Sequence, residues 1–461
     1  MYDVFMLHNQ FKESIERFEN FDPHLKRIEG LPFSYKSPLV QEQAFRQAGV
    51  YLISGGRQVG KTTCLKQLIR ILLKEEAVQP EHILFLTGEL IDSHHALRRL
   101  IEDFVVPMQF QFLFIDEVNY VPDWDKSIKY LADVGCFDSM SVILTGSDSQ
   151  IIRTAMKRFA GRRGKADQVD FIFHPLSFYE TVLLKEASLG PFCESLSSRP
   201  LLEESLEYAE HHAVLLNLFH QYLLHGGYLP AIRDFMQEGS IALATLKTYT
   251  DWIIGDMLKH GKSEHYLYEI LKGVRANYGA QISWNSLARH LSIDHHKTVS
   301  DYCQILQDIQ VLNIVEALAE HTLSAAVKKS RKLYFRDPFI HFAVRSLLDR
   351  DAVDIQRDFK DSEYCAPLVE TVVIDHCKRL VKTFYIKGDK GEVDLALVQG
   401  KKFYPFEIKW TQQLRSSALK QIQQYPQGAI LSKSAGYSAI GPNKVMPILA
   451  FLLGFQSKNQ I

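Results

Sequence analysis

Apolar positions along the chain gather into short strand-like runs at Tyr51–Ser54, His82–Thr87, Phe112–Asp116, Ser141–Thr145 and Asp170–Phe173. Apolar residues at helical spacing separate several of these runs, and that alternation predicts a parallel sheet with crossover helices. Residues 1–45 read as a helical preamble closing on an extended LPFSY segment. From Pro175 to Lys259 the pattern is mostly helical, interrupted by HGGYLP at His225–Pro230. Between Ser283 and Val315 two short helical patterns flank SIDHH, and after Ser362 the pattern returns to α/β. There is no internal repeat and no low-complexity tract. These shifts divide the chain into an N-terminal helical segment (1–45), an α/β domain (46–180), a helical subdomain (181–260), a second small domain (261–350) and a last α/β domain (360–461).

The clearest period-two pattern is Gly391–Trp410, GEVDLALVQGKKFYPFEIKW. Two alternating runs around QGKK predict a β-hairpin. Alternation places Val393, Leu395 and Leu397 on one face and Asp394, Ala396 and Val398 on the other, while Glu407 and Lys409 share a face. A two- or four-residue turn centred between Gly400 and Lys401 sets Asp394 across from Glu407. Like charges directly opposite destabilise a sheet, so this pair calls for an explanation.

Composition narrows the picture only in places. Lys+Arg 53 against Asp+Glu 54 gives a net charge of -1, so any basic surface must be local. Six scattered cysteines without a CxxC pair fit reduced thiols better than a disulfide framework or a zinc site. The start, MYDVFMLHNQFKE, lacks the layout of a signal peptide, and the apolar run near Val445–Phe455 is too short to span a bilayer. A cytoplasmic protein without a membrane partner is expected.

The chemistry concentrates in SGGRQVGKTTCLKQLIRIL. Gly55, Gly56, Arg57, Gln58, Val59, Gly60, Lys61, Thr62 and Thr63 lie between the strand YLIS and a helix striped with Leu65, Leu68, Ile69 and Leu72. In a GxxxxGKT loop the backbone N–H groups cradle phosphates, helped by the helix N-terminus. Lys61 reaches the β/γ-phosphates and the Thr62 hydroxyl binds Mg²⁺. The strand QFLFIDE ends in Asp116, placed to hold the Mg²⁺, and Glu117, placed to polarise the attacking water. A further strand, SVILTGSDS, presents Thr145 and Ser147 to sense the γ-phosphate or orient water. No guanine-reading Asn-Lys-x-Asp or Thr-Lys-x-Asp occurs, which favours ATP. Arg153, Arg158, Arg162 and Arg163 follow the sensor strand; one of them, with Arg162 the choice, is expected to reach the γ-phosphate of a neighbouring subunit. A solvated basic loop is the alternative.

The order of phosphate loop, IDEVNYVPDW, LTGSDS, GRR and HPLSFYE resembles one group of prokaryotic AAA-type ATPases, in which an N-terminal ATPase is paired with a C-terminal domain of unknown function. The later HGGYLP and KLYFRDP segments match as well, so the resemblance covers nearly the whole chain. It implies an ASCE-type sheet with Lys61, Thr62, Asp116 and Glu117 in the roles argued above. This sequence departs from the pattern by an extra GKADQ after GRR.

The segment ISWNSLARHLSIDHHKTVSDYCQILQDIQVLNIV reads as a helix-turn-helix within a winged helix. Trp284, Leu287, Ala288 and Leu291 lie on the first helix, and Val299, Tyr302, Cys303 and Leu306 on the inner face of the second. Asp294 is expected to cap the second helix or its first turn, with His295, His296, Lys297 and Ser300 exposed at a reading end and KKSRK (Lys328–Lys332) forming a basic wing. Asp301 and Asp308 oppose DNA, so a packing or protein-docking role stays open. In the last domain Glu370 lies at the edge of an apolar helix stripe. Asp394 and Glu407-x-Lys409 lie on the hairpin, and Gln421 and Tyr425 one turn apart on a following helix, ALKQIQQY. This arrangement resembles the PD-(D/E)-x-K nuclease core. The resemblance implies a second Mg²⁺ or Mn²⁺ at Asp394 and Glu407, with Lys409 at the attacking water or phosphate; simple neutralisation by Lys409 is the alternative.

The fold expected is therefore multidomain α/β: a P-loop ASCE parallel-sheet ATPase with a helical subdomain, a winged helix and a C-terminal restriction-endonuclease-like α/β domain. The function expected is an ATP-binding, Mg²⁺-dependent ATPase acting as a switch on double-stranded DNA, a protein partner or further copies of itself. The rivals are an ATP-gated nuclease and a non-catalytic ATP-binding module.

Overall fold

The computed structural model describes residues 2–147, 164, 166–291, 293–349 and 362–456. It separates into two units, Met1–His174 and Pro175–Ile461.

In the first unit, strands β1 (Gly49–Ser54), β2 (Ile83–Thr87), β3 (Phe112–Asp116), β4 (Ser141–Gly146) and β5 (Asp170–Ile172) form a parallel sheet of order β2-β3-β4-β1-β5. The four strands β1 to β4 are apolar along nearly their whole length, as strands covered on both faces must be. One face is set by alternate residues: Val50 and Leu52, Leu84 and Leu86, Leu113 and Ile115, Val142 and Leu144 join one core with Leu97, Trp124, Ile128 and Leu131. Helix α1 (Lys61–Lys74) follows β1 and buries Cys64, Leu65, Leu68, Ile69 and Leu72. The preamble is a series of short turns and helices rather than one long helix. It closes the free edge of β2 with a side chain: buried Asn9 donates to Phe85 O at 2.8 Å and accepts from Phe85 N at 2.8 Å. A side-chain amide thus supplies the pairing that an edge strand otherwise leaves open.

The second unit begins with a mainly helical stretch that includes Tyr208–His225 and Leu243–Lys259. Three helices follow, α2 (Glu264–Ala276), α3 (Trp284–His290) and α4 (His296–Asp308). After them comes an antiparallel pair, β6 (Leu312–Glu316) with β9 (Arg331–Phe335), whose connection carries the short strands β7 (Leu318–Ala319) and β8 (Ser324–Ala325). Leu287, Val299, Tyr302, Cys303 and Leu306 are buried as the helical spacing predicts. Two expectations fail here. The N-cap of α4 is His295, with no side-chain cap bond, so Asp294 does not hold that position. Nor is KKSRK a solvated wing throughout. Arg331 and Lys332 lie on β9 and are buried, Arg331 over the Trp284 ring, because this strand is covered on both faces.

Helix α5 (Ser362–Leu380) leads into a six-stranded sheet of order β10-β11-β12-β13-β15-β14, from β10 (Lys382–Gly388), β11 (Gly391–Gln399), β12 (Lys402–Lys409), β13 (Ala429–Ser432), β14 (Ser438–Ile440) and β15 (Asn443–Pro447). The hairpin β11–β12 has the two-residue turn Gly400–Lys401, and its ladder runs from Gln399↔Lys402 to Leu395↔Phe406. That register carries Asp394 to the level of Glu407, as the alternation predicts. The face assignment needs correcting: the β10–β11 register slips between Phe384 and Ile386, a bulge that puts Val393 in the same core as Ala396 and Val398. The bulge falls beside Asp394, where such irregularities re-aim a side chain. ALKQIQQY is not an α-helix but two short 3₁₀ turns, Ser416–Leu419 and Ile422–Gln424.

Candidate functional site

Residues 55–60 turn between β1 and α1. Gly60 caps the helix at φ +109, a left-handed conformation that a side chain rarely adopts. Lys61 is buried, and its Nζ donates to Gly55 O at 3.0 Å and Gly56 O at 2.9 Å. Its ammonium also pairs with Glu117 Oε1 at 3.5 Å. Thr62 Oγ1 donates to Asp116 Oδ2 at 2.7 Å, while Thr145 Oγ1 donates to Asp116 Oδ1. The Thr145 hydroxyl also accepts the Glu117 backbone N–H at 2.9 Å, and Ser147 Oγ donates to Glu117 Oε2 at 2.9 Å. The structure therefore brings Lys61, Thr62, Asp116, Glu117, Thr145 and Ser147 into one network. Glu117 itself sits in the left-handed region at φ 48, and a side chain at Gly88 would meet Glu117 O at 2.4 Å. Backbone strain of this kind persists where the surroundings over-determine it, and here the strained residue is the candidate catalytic carboxylate. The hydroxyl of Thr62 and the carboxylate of Asp116 are adjacent hard oxygen donors, a set that fits Mg²⁺.

A second cluster of charges lies in the Pro175–Ile461 unit. Asp394 Oδ1 pairs with Lys332 Nζ at 3.2 Å, and Oδ2 accepts Ile408 N–H at 3.0 Å and lies 3.5 Å from Lys409 Nζ. Lys409 also pairs with Glu407 Oε1 at 2.6 Å. Lys332 reaches Glu392 Oε1 at 2.8 Å, and Tyr334 OH donates to Glu370 Oε2 at 2.9 Å. Burial would raise the Asp394 carboxyl, but the Lys332 and Lys409 ammoniums outweigh it and hold it below the ordinary value. Glu407 goes the other way: burial and the Asp394 charge push it up to about 8 against the pull of Lys409. Glu370, buried near Asp394, is pushed up to about 7. The structure thus brings Asp394, Glu407 and Lys409 together, with Glu370 alongside through Tyr334. Gln421 and Tyr425 do not join them by any bond. Gln421 accepts Lys390 N–H at 2.9 Å on the β10–β11 turn, and Tyr425 OH donates to Glu320 at 3.0 Å.

A family model described as a AAA domain matches residues 47–182. This stretch is therefore similar to AAA domains. A second model, a domain of unknown function (DUF8612), matches residues 216–351. An uncharacterized protein of Methanocaldococcus jannaschii is 23% identical over 303 residues, 64% of this chain and 62% of its own length. The chain therefore spans less than two thirds of that relative. Among solved structures, a Walker-type ATPase of Pyrococcus abyssi aligns at TM-score 0.39 and 12% identity, covering 64% of this chain and 91% of that one. The ORC1 protein of Aeropyrum pernix in complex with DNA aligns at TM-score 0.29 and 12% identity, covering 75% and 92%. Likeness at this level carries no functional argument.

Other residues of the first unit carry no local sign of their part. Gly88, Asn9 and buried Lys66 serve the site's surroundings from outside any motif. Lys66 Nζ donates to His8 O at 2.9 Å, pairs with Asp22 at 3.5 Å and lies over the Phe85 ring. Its place one turn into α1 gives no sign of this. Arg57, within the loop, donates to Tyr120 OH at 3.2 Å. Arg153, Arg158, Arg162 and Arg163 lie outside the described residues.

Proposed function

We propose that this protein is an ATP-binding, Mg²⁺-dependent ATPase acting as a nucleotide-driven switch on a DNA or protein partner. The observation that carries this reading is the double hold on the acid pair: hydroxyls of Thr62 and Thr145 on the two oxygens of Asp116, and Lys61 with Ser147 on the two of Glu117. Mg²⁺ held by Thr62 and Asp116 would offset charge on the β- and γ-phosphates. Binding phosphates draws Lys61 from the carbonyls of Gly55 and Gly56, and from Glu117, to the nucleotide. Glu117 is then left with Ser147 and free to accept a proton from water in line with the γ-phosphate. Gly55 to Thr63 supply the phosphate cradle, and an arginine near Arg162 from a neighbouring copy would complete it.

The order of three helices and a hairpin over 264–335 supports a winged helix, with His295, His296 and Lys297 exposed at the start of α4. The mixed sheet after α5 supports a nuclease-like fold for residues 360–461. The two lysines on the acids argue against a second Mg²⁺ or Mn²⁺ there, and hence against the ATP-gated nuclease. Free thiols and a lack, among the described residues, of any helix able to cross a membrane suit a cytoplasmic role.

The deciding experiment measures ATP affinity and phosphate release for wild type, Lys61→Ala and Glu117→Gln. Lys61→Ala should weaken binding; Glu117→Gln should bind ATP normally and turn over slowly, since an amide is no base. Equal turnover in wild type and Glu117→Gln would reject the assignment.

A further inference from the structure

Asp394 and Glu407 lie on paired strands, as metal-binding carboxylates of a nuclease would, yet their neighbours do not fit a divalent ion. Both oxygens of Asp394 are taken, one by Lys332 and the other by Ile408 N–H with Lys409 near, and Oε1 of Glu407 is taken by Lys409. Fixed ammonium groups this close repel a further cation, the more so where water is scarce. Among the described residues no group of three His, Cys, Asp or Glu side chains is placed to hold a metal. One atom is out of keeping with a closed network. Glu407 is 4% exposed, and its Oε2 is buried with no hydrogen-bond partner. Such an oxygen is costly, and it points to a ligand that the lysines do not supply.

The counter-charge on Asp394 comes largely from elsewhere in the chain. Lys332 is 1% exposed and belongs to β9, opposite Val315 in the β6–β9 pair. That hairpin is fastened to the C-terminal sheet by Tyr385 OH on Ser330 O at 2.7 Å and by a bridge between Ala317 and Tyr385, and to α5 by Tyr334 on Glu370. Each lysine bridges two carboxylates, Lys409 those of Asp394 and Glu407 and Lys332 those of Asp394 and Glu392, but Lys409 is partly open to solvent whereas Lys332 is buried and delivered into the cluster by β9.

We infer that Lys332 is a tethered cation standing in for a divalent metal ion: with the hairpin docked, Asp394 and Glu407 exclude Mg²⁺ and Mn²⁺, and removing Lys332 frees Asp394 Oδ1, which with the unpartnered Oε2 of Glu407 then offers two carboxylate oxygens to a divalent cation. The hairpin and the ion compete for Asp394 Oδ1. The inference does not depend on the ATPase reading.

The test is Mn²⁺ binding to the nucleotide-free full chain, read from loss of the free-ion electron paramagnetic resonance signal. Wild type, Lys332→Met and Lys332→Gln are each compared with and without Asp394→Asn, which leaves the phosphate-loop carboxylate Asp116 in place. Wild type should take up no Mn²⁺ that Asp394→Asn removes. Lys332→Met should gain a single saturable site, stronger than any wild-type uptake at the cluster by roughly tenfold or more, and lose it in the double variant. Lys332→Gln, with a polar head, gives the same reading if the apolar substitution spoils folding, which circular dichroism checks. Asp394-dependent Mn²⁺ binding by wild type, or folded Lys332 variants that gain no such site, would overturn the inference.

Discussion

Thr145→Val removes a hydroxyl and little else, and the structure assigns that hydroxyl two tasks. It donates to Asp116 Oδ1 and accepts the Glu117 backbone N–H at 2.9 Å. A hydrogen bond to a charged group is worth about 1.5–3 kcal/mol. If that bond orients Asp116 for the chemical step, its loss should lower turnover by about 10- to 150-fold, at ~1.4 kcal/mol per factor of ten. The orphaned Glu117 N–H adds a stability loss of about 1 kcal/mol, the low end for a lost acceptor because this donor is only partly buried. Single-turnover phosphate release at saturating ATP and Mg²⁺ reads the first effect, with ATP affinity measured separately. Affinity should change less than turnover, since Lys61 and the loop backbone are untouched. Thr145→Ser, which keeps the hydroxyl, should recover most of the activity. Turnover in Thr145→Val within about twofold of wild type would refute the orienting role. So would a serine variant no better than the valine, because the loss would then come from packing.

Two further outcomes are expected. Burial pushes the Asp337 carboxyl up to about 7 even though Gly227 and Phe339 N–H groups pull it down. The folded chain then keeps a proton that the unfolded chain releases above about 4, so stability from this group is full below that pH and falls as pH rises toward 7; Asp337→Asn should flatten that slope in melts at stepped pH, and an unchanged slope would contradict it. Asn9→Ala should strip both backbone partners from Phe85 and weaken the β2 edge by about 1–3 kcal/mol per unpaired buried group, visible as faster hydrogen exchange at the Phe85 amide; unaltered protection there would show that the edge is closed by something else.

What could be read in advance was what the chain keeps local. The phosphate loop packs its chemistry into nine consecutive residues, and β3 and β4 end in their functional side chains, so each role follows from position along one strand or turn. Strand runs were legible because parallel strands buried on both faces are almost wholly apolar. The β11–β12 register followed from a two-residue turn. Long-range partners leave no such trace. Asn9 reads as a polar residue of a helical preamble, yet it pairs with β2, 76 residues away. Lys332 reads as part of a basic run, because KKSRK shows its charge and hides the strand that begins inside it. The 3₁₀ turns at Ser416–Leu419 and Ile422–Gln424 share helical propensity with an α-helix, and only packing against the β10–β11 turn separates the two outcomes.

The docked hairpin also bears on how this chain can be divided or recombined. A boundary drawn between residues 350 and 362, where one stretch of pattern ends and the next begins, would cut between Lys332 and the acids it neutralises. A fragment opening at Ser362 would keep Asp394, Glu407 and Glu370 but lose Lys332, Tyr334 and Gln281. Its interior would then hold carboxylates with a single lysine among them. Exchange of the last sheet between related chains would meet the same obstacle unless β9 travelled with it. Two stretches that look modular in sequence are thus bound to be inherited together, and substitutions at position 332 should track those at 394 and 407 across descendants of this chain.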